Sequence, residues 1–143
     1  MHELTMSRVI PAPIEDVWRA WTTAAGLSTW WWNTWEDSRY SVDAVVGGDY
    51  QIEAAQHGIG VRGTFAEVQS LRLLAFSWVW YELSDGHPVD EAEDQVRVRF
   101  SDEGDATRLD LWHAGPWAST DMGEGYRHGW TFVLDALEAA SGG

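Results

Sequence analysis

The sequence contains no cysteine, which excludes disulfides and thiolate metal sites. A reducing cytoplasm is the compartment expected for such a chain. No apolar run approaches the roughly 20 residues needed to cross a bilayer, because charged residues or glycines interrupt every candidate stretch. Membrane insertion is therefore not expected. The opening residues MHELTMSRVI lack a basic segment followed by an apolar one, so nothing there reads as a secretory signal. Basic residues are scarce: nine against 23 acidic ones give a formal charge of -14. Nucleic acid and anionic membranes are held chiefly by clustered Lys and Arg, so neither is an expected partner. There is no GxSxG elbow, glycine-rich phosphate loop or HExxH string, which removes the usual signals of hydrolases, kinases and zinc peptidases. Internal repeats and linker composition are lacking too, and residues 1–143 read as one domain.

Tryptophan, by contrast, is abundant, with 11 in 143 residues. A side chain so large and apolar is not scattered freely, so this number implies an aromatic-walled interior, a contact surface, or both. Leu4 to Ile10 can form a strand, which Pro11-Ala12-Pro13 ends. Pro13 suits a first helical position, and Ile14, Val17, Trp18 and Trp21 then share one helical face. Thr23 can cap a second short helical turn through Trp30, before Trp31, Trp32 and Trp35 crowd into a loop. That cluster could guard a pocket mouth, meet a partner or fold over the helix ends.

From Arg39 the hydrophobic period becomes two, with Tyr50 and Ile52 alternating against Gln51 and Glu53. Ile59 to Val68 and Arg72 to Tyr81 can pair, and Leu74, Phe76, Trp78 and Trp80 share one strand face. Ser84 to Asp94 holds five acidic residues with Gly86 and Pro88 and reads as a solvated loop rather than a strand. Val96, Val98 and Phe100, then Leu109, Leu111 and His113 after a turn at 103–105, form the clearest hairpin. Gly115-Pro116 stops it, and Asp121 with Glu124 resembles a capping arrangement for a helix over Met122 to Ala140. On that helix Tyr126, Trp130, Val133, Leu134 and Leu137 make an apolar stripe, while Gly123, Gly125 and Gly129 loosen its first half. That half is the expected gate.

Six strings in order, RVIPAPIEDVWRAWT, LSTWW, GGDY, RGTFAEV, TRLDLWHAG and GYRHGWTFVLDAL, resemble the activator of Hsp90 ATPase homologue 1 (AHSA1) family of the START/Bet v 1-like (SRPBCC) superfamily. The resemblance implies an α+β helix-grip fold. In that fold a curved antiparallel sheet of six to seven strands wraps a long C-terminal helix, and two short helices follow the first strand. It also implies cavity binding, in a superfamily that includes lipid carriers, plant hormone binders, polyketide aromatase/cyclases and Hsp90 co-chaperone domains.

The expected function is binding of a small hydrophobic, aromatic molecule between sheet and helix, without a permanent cofactor, by a monomer or homodimer. The candidate ligand-binding residues are Tyr50, Phe65, Phe76, Trp78, Trp80, Phe100, Leu111, His113, Tyr126, Trp130 and Val133. His113 is placed inward by its strand and could orient a ligand or move a proton, or be satisfied by a backbone carbonyl or Tyr126. No second catalytic group is evident beside it. One alternative is a cyclase or aromatase using His113 with Tyr126 and Arg8; Arg8 could equally pair with a carboxylate. Another is a Hsp90 co-chaperone-like module docking through Trp32 and Trp35. His57, His87 and the carboxylates of Asp85 to Asp94 fit neither a zinc nor a calcium spacing, so no metal is expected.

Overall fold

Pro11 and Pro13 cannot donate to a sheet ladder, and the first strand, β1 (His2–Ile10), stops at the residue before them. Pro13 then stands at the N-cap, in extended conformation, of α1 (Ile14–Thr22). Glu15 and Asp16 lie in the first turn, where the helix dipole favours negative charge. Ile14, Val17 and Trp21 are buried along the inner face. The Thr23 hydroxyl caps α2 (Ala24–Leu27) by accepting from the Gly26 N–H at 2.9 Å. The strands that follow are β2 (Ser38–Val42), β3 (Asp49–Ala54), β4 (Ile59–Gln69), β5 (Leu73–Ser84), β6 (His87–Asp102) and β7 (Thr107–Gly115), and α3 (Thr120–Gly142) closes the chain. The computed structural model describes residues 2–85, 87–116 and 120–142, with side chains for all of these except 87–91, 120–122 and 142.

Among the described residues the strands form one antiparallel sheet in the order β1-β7-β6-β5-β4-β3-β2. Successive strands pair as hairpins from β2 to β7, and β1 returns to the edge beside β7. α3 lays Trp130, Val133, Leu134 and Leu137 against the sheet's inner face, all of them buried. Each such side chain contributes on the order of 2 kcal/mol through apolar burial. Arg8 on β1 ties the C-terminal part of α3 to the sheet, reaching Asp135 at 2.8 Å and Glu138 at 3.6 Å. Of the two fates open to Arg8 in the sequence, carboxylate pairing is the one observed.

The structure corrects two expectations. The acidic stretch from Ser84 to Asp94 is not a loop: β5 continues to Ser84 and β6 begins at His87, so most of the segment is paired strand. Backbone ladder bonds form whatever the side-chain charge, and composition alone underestimates them. The ladder is interrupted between Val79 and Tyr81, where residues 91 and 92 of β6 face Trp80 alone. This bulge lies beside the site described below, a common place for such irregularities. The second correction concerns Asp121, which lies within α3 rather than capping it, because the helix already includes Thr120.

Candidate functional site

Among the described residues, two spaces between the sheet and the helices stand out. Deep against the sheet, Trp21, Trp31 and Trp78 join Tyr50, Phe65 and Phe76 around a cavity of only about 30 Å³. Aromatic packing accounts for its size: Tyr50, Phe65 and Phe76 meet one another with ring centroids 5.3 to 5.8 Å apart. Here the interior is filled rather than lined. The larger space, about 290 Å³, lies over the first half of α3 and is walled by Trp32, Trp78, Trp80, Gly125, Tyr126, Gly129 and Trp130. That volume falls at the lower end of small-molecule sites.

The walls of this cleft follow from local periodicity. Trp78 and Trp80 are two apart on β5 and share its inner face, with rings 6.5 Å apart and 20° from parallel. Tyr126 and Trp130 stand one turn apart on α3, as do Gly125 and Gly129 beside them. A methyl group on either glycine would meet no atom within 4 Å, so packing does not require glycine there. What their smallness leaves is room.

Trp32 closes the cleft from the loop after α2. Its φ of 48° is the left-handed region, which costs a bulky residue roughly 1–2 kcal/mol. Ring contacts hold it there: it meets Trp80 edge-on at 5.9 Å and Trp35 at 5.4 Å. Trp35 in turn stacks on His57 at 3.8 Å. Asp37 fastens the same loop by accepting from the backbone N–H groups of Gln56 and His57 and meeting the His57 ring at 3.0 Å. Burial alone would raise the Asp37 pKa, but the hydrogen bonds from the His57 side chain and these backbone groups outweigh it and hold the carboxyl below its usual range. With Trp32 only 6% exposed, Trp32 and Trp35 do not form the exposed patch that docking through them requires.

His113 lies beneath the cleft, not in it. It is completely buried, and both ring nitrogens are engaged: Nδ1 lies 3.0 Å from Trp130 Nε1, and Nε2 lies 2.8 Å from Asp94 Oδ2. An indole can only donate, so Nδ1 accepts and the ring proton resides on Nε2, which donates to the carboxylate. Asp94, itself 2% exposed, faces inward opposite Trp78. Burial pushes the His113 pKa below its usual value against the opposing pull of Asp94. His113 thus has an acidic partner that sequence reasoning missed, and its bonds serve to hold Trp130 in the cleft wall. The missed signal was the period-two alternation of Phe100, Val98 and Val96, which reaches Asp94 one step further back.

Of the remaining candidates, Trp78, Trp80, Tyr126 and Trp130 meet at the cleft, and Tyr50, Phe65 and Phe76 border the inner cavity. Phe100 packs against Trp18 and Trp21 at 5.0 and 6.0 Å, while Leu111 and Val133 are core residues. Among the described residues, no group of three His, Asp or Glu side chains gathers as a cation site.

Residues 11–142 match the family described as Activator of Hsp90 ATPase homolog 1-like protein (AHSA1). The chain belongs to this family. No curated protein is significantly similar to it in sequence, but solved structures are similar in fold. The AHSA1-like protein from Aeromonas hydrophila, 24% identical, superposes with a TM-score of 0.70 over 97% of this chain and 91% of its own. CalU16 from Micromonospora echinospora, 26% identical, gives a TM-score of 0.71 over 97% of this chain and 65% of that one. DynU16, from the dynemicin biosynthetic locus, is 18% identical with a TM-score of 0.77 over 96% of this chain. The chain spans less than half of DynU16, 46% of its length. The AHSA1-like helix-grip fold is thus shared. None of the described helices is long and apolar enough to cross a membrane.

Proposed function

We propose that this AHSA1 protein binds a flat, uncharged aromatic molecule in the cleft between β5 and the glycine-bearing half of α3. The observation that carries the reading is the 290 Å³ space walled by five aromatic side chains and two glycines whose Cβ positions are open. Aromatic walls favour stacking against a planar π-system. The described residues bordering the cleft carry no charge, and a chain at -14 disfavours anionic ligands. A cytoplasmic setting accords with the absence of cysteine. A cyclase or aromatase role for His113 draws no support from a ring with both nitrogens engaged and no exposed surface. Titrating naphthalene into the protein, followed through the tryptophan indole resonances, tests the proposal. Saturable shifts at Trp78, Trp80 and Trp130 are expected, and they should vanish in Gly129→Leu, whose side chain fills the cleft. Absence of saturation in the wild type, or equal binding by the variant, would refute it.

A further inference from the structure

His113 is held between two groups that require opposite things of it. The Asp94 carboxylate can only accept and the Trp130 indole can only donate, so the bonds of 2.8 Å to Nε2 and 3.0 Å to Nδ1 are made together by the neutral ring alone. A second proton would sit on Nδ1. The bond to Asp94 would then become charge-assisted and strengthen, whereas Nδ1–H and the indole N–H would face each other as two donors 3.0 Å apart. Protonation is thus felt at Trp130 rather than at Asp94. Among the described residues, the charged or titratable groups that face the imidazole are Asp94 from β6 and Tyr126 from α3, its ring 4.6 Å away, while β5 presents Trp78 and β1 presents Leu4. None of these is a cation that would oppose the second proton.

The packing around Trp130 decides where a released indole goes. Trp21, Trp31 and Trp78 stand against it with ring centroids 6.2, 5.3 and 5.1 Å away. The cavity that these three border holds about 30 Å³, room for a water and not for an indole. Trp130 itself borders the cleft of about 290 Å³, with the open Cβ positions of Gly125 and Gly129 on the same wall. Among the described residues, the roomy direction for this side chain is therefore the space assigned to the ligand.

Resting on the cleft reading above, we infer that Asp94, His113 and Trp130 form a proton-operated gate: uptake of a second proton by His113 removes the acceptor of Trp130, and the freed indole swings into the cleft and displaces the bound molecule. Ligand and proton compete, so by linkage a bound ligand also makes His113 harder to protonate. Burial disfavours the second proton and Asp94 favours it, the first prevailing, which places the gate on the acid side of the ordinary imidazole value. Above that range the cleft is open and binds. Below the midpoint each further pH unit should weaken binding about tenfold, because one proton is exchanged for one ligand.

Naphthalene has no titratable group, so any dependence of its affinity on pH belongs to the protein. Its dissociation constant is measured between pH 5 and pH 8, beside nitrogen-15 indole spectra of the free protein over the same range, with the Trp130 signal assigned by Trp130→Phe. Affinity should be level near pH 8 and fall on the acid side. Over the same range the Trp130 indole proton of the free protein should move upfield, while that of Trp30, bonded to the Ala20 carbonyl at 2.8 Å, stays in place. Asp94→Asn keeps an acceptor for Nε2 but removes the charge that favours the second proton, so the fall should shift to lower pH. His113→Gln, which has no proton to gain in this range, should lose it. A purely structural role for Asp94 would leave the midpoint of the fall unmoved. Level affinity from pH 5 to pH 8, an unmoved Trp130 proton, or a fall that persists unchanged in either variant would overturn the gate and leave the cleft reading standing. No saturable binding at pH 8 would overturn the cleft reading and the gate with it.

Discussion

The Nε2–H of His113 on β7 donates to Oδ2 of Asp94 on β6 at 2.8 Å, with both side chains shut away from water. The Nδ1 of the same ring accepts from Trp130 at 3.0 Å, so the acid, the imidazole and the cleft-wall indole form one connected chain. Removing one member of a buried pair leaves the other desolvated and uncompensated, at about 3–5 kcal/mol. His113→Val is therefore expected to destabilise the protein by that order. Asp94→Val should do so less, because it leaves the His113 ring with a neutral unpaired N–H rather than a buried charge, at about 1–3 kcal/mol. The double variant should be more stable than the sum of the two singles, by about 1–3 kcal/mol of coupling. Urea denaturation of the four proteins measures this, and strict additivity would contradict the pairing.

The lowered His113 pKa makes stability depend on pH in a defined direction. Below the unfolded imidazole value of 6.5 the unfolded chain takes up a proton that the native ring does not. Stability from this group is thus complete above about pH 6.5 and falls with acidification until the lower native value is passed. Comparing wild type with His113→Gln between pH 5 and pH 8 isolates the effect from the general charge of the chain. The variant should show the shallower dependence of Tm over the acidic half of that range; identical slopes would contradict the assignment.

Gly125→Ala and Gly129→Ala should separate stability from binding. Since the added methyl meets no atom within 4 Å, each substitution should stabilise α3 by up to about 1 kcal/mol through helix propensity. Both methyl groups would occupy the cleft, so naphthalene affinity should fall while Tm rises. A rise in both, or a fall in both, would show that these glycines serve another purpose.

Gly63 is the opposite case. A Cβ there would stand 1.9 Å from the Ser77 carbonyl oxygen, a backbone atom that cannot move without disturbing the pairing of β4 with β5. Gly63→Ala is expected to lose about 1–3 kcal/mol, the usual range for overpacking. Thermal unfolding of this variant beside Gly129→Ala gives two glycine substitutions with effects of opposite sign.

Much of the architecture was readable from periodicity, because helices and strands impose their own spacing on apolar residues. The alternation from Leu74 to Trp80 marks β5, and the stripe Trp130, Val133, Leu134 and Leu137 marks the buried face of α3. The extension of β6 back to His87 was not readable, since five acidic residues between Ser84 and Asp94 argue for solvent while the ladder bonds that pair the strand come from the backbone. Asp94 was hidden by the same composition. Its neighbours in sequence resemble a loop, whereas its neighbours in space are Trp78 and His113.

The chain's own residues determined the helix-grip order of elements, the inward faces and the aromatic character of the interior, because these depend on local spacing and on the cost of exposing tryptophan. Only the tertiary structure decided where space was left. Aromatic rings drawn from positions between Trp21 and Trp78 pack until about 30 Å³ remains against the sheet, while two side-chain-free positions on α3 leave about 290 Å³ over the helix. Vacancy depends on how side chains from different elements meet, and no local pattern records that. The pairing of His113 with Asp94 is of the same kind, a buried acid made tolerable by a partner 19 positions away.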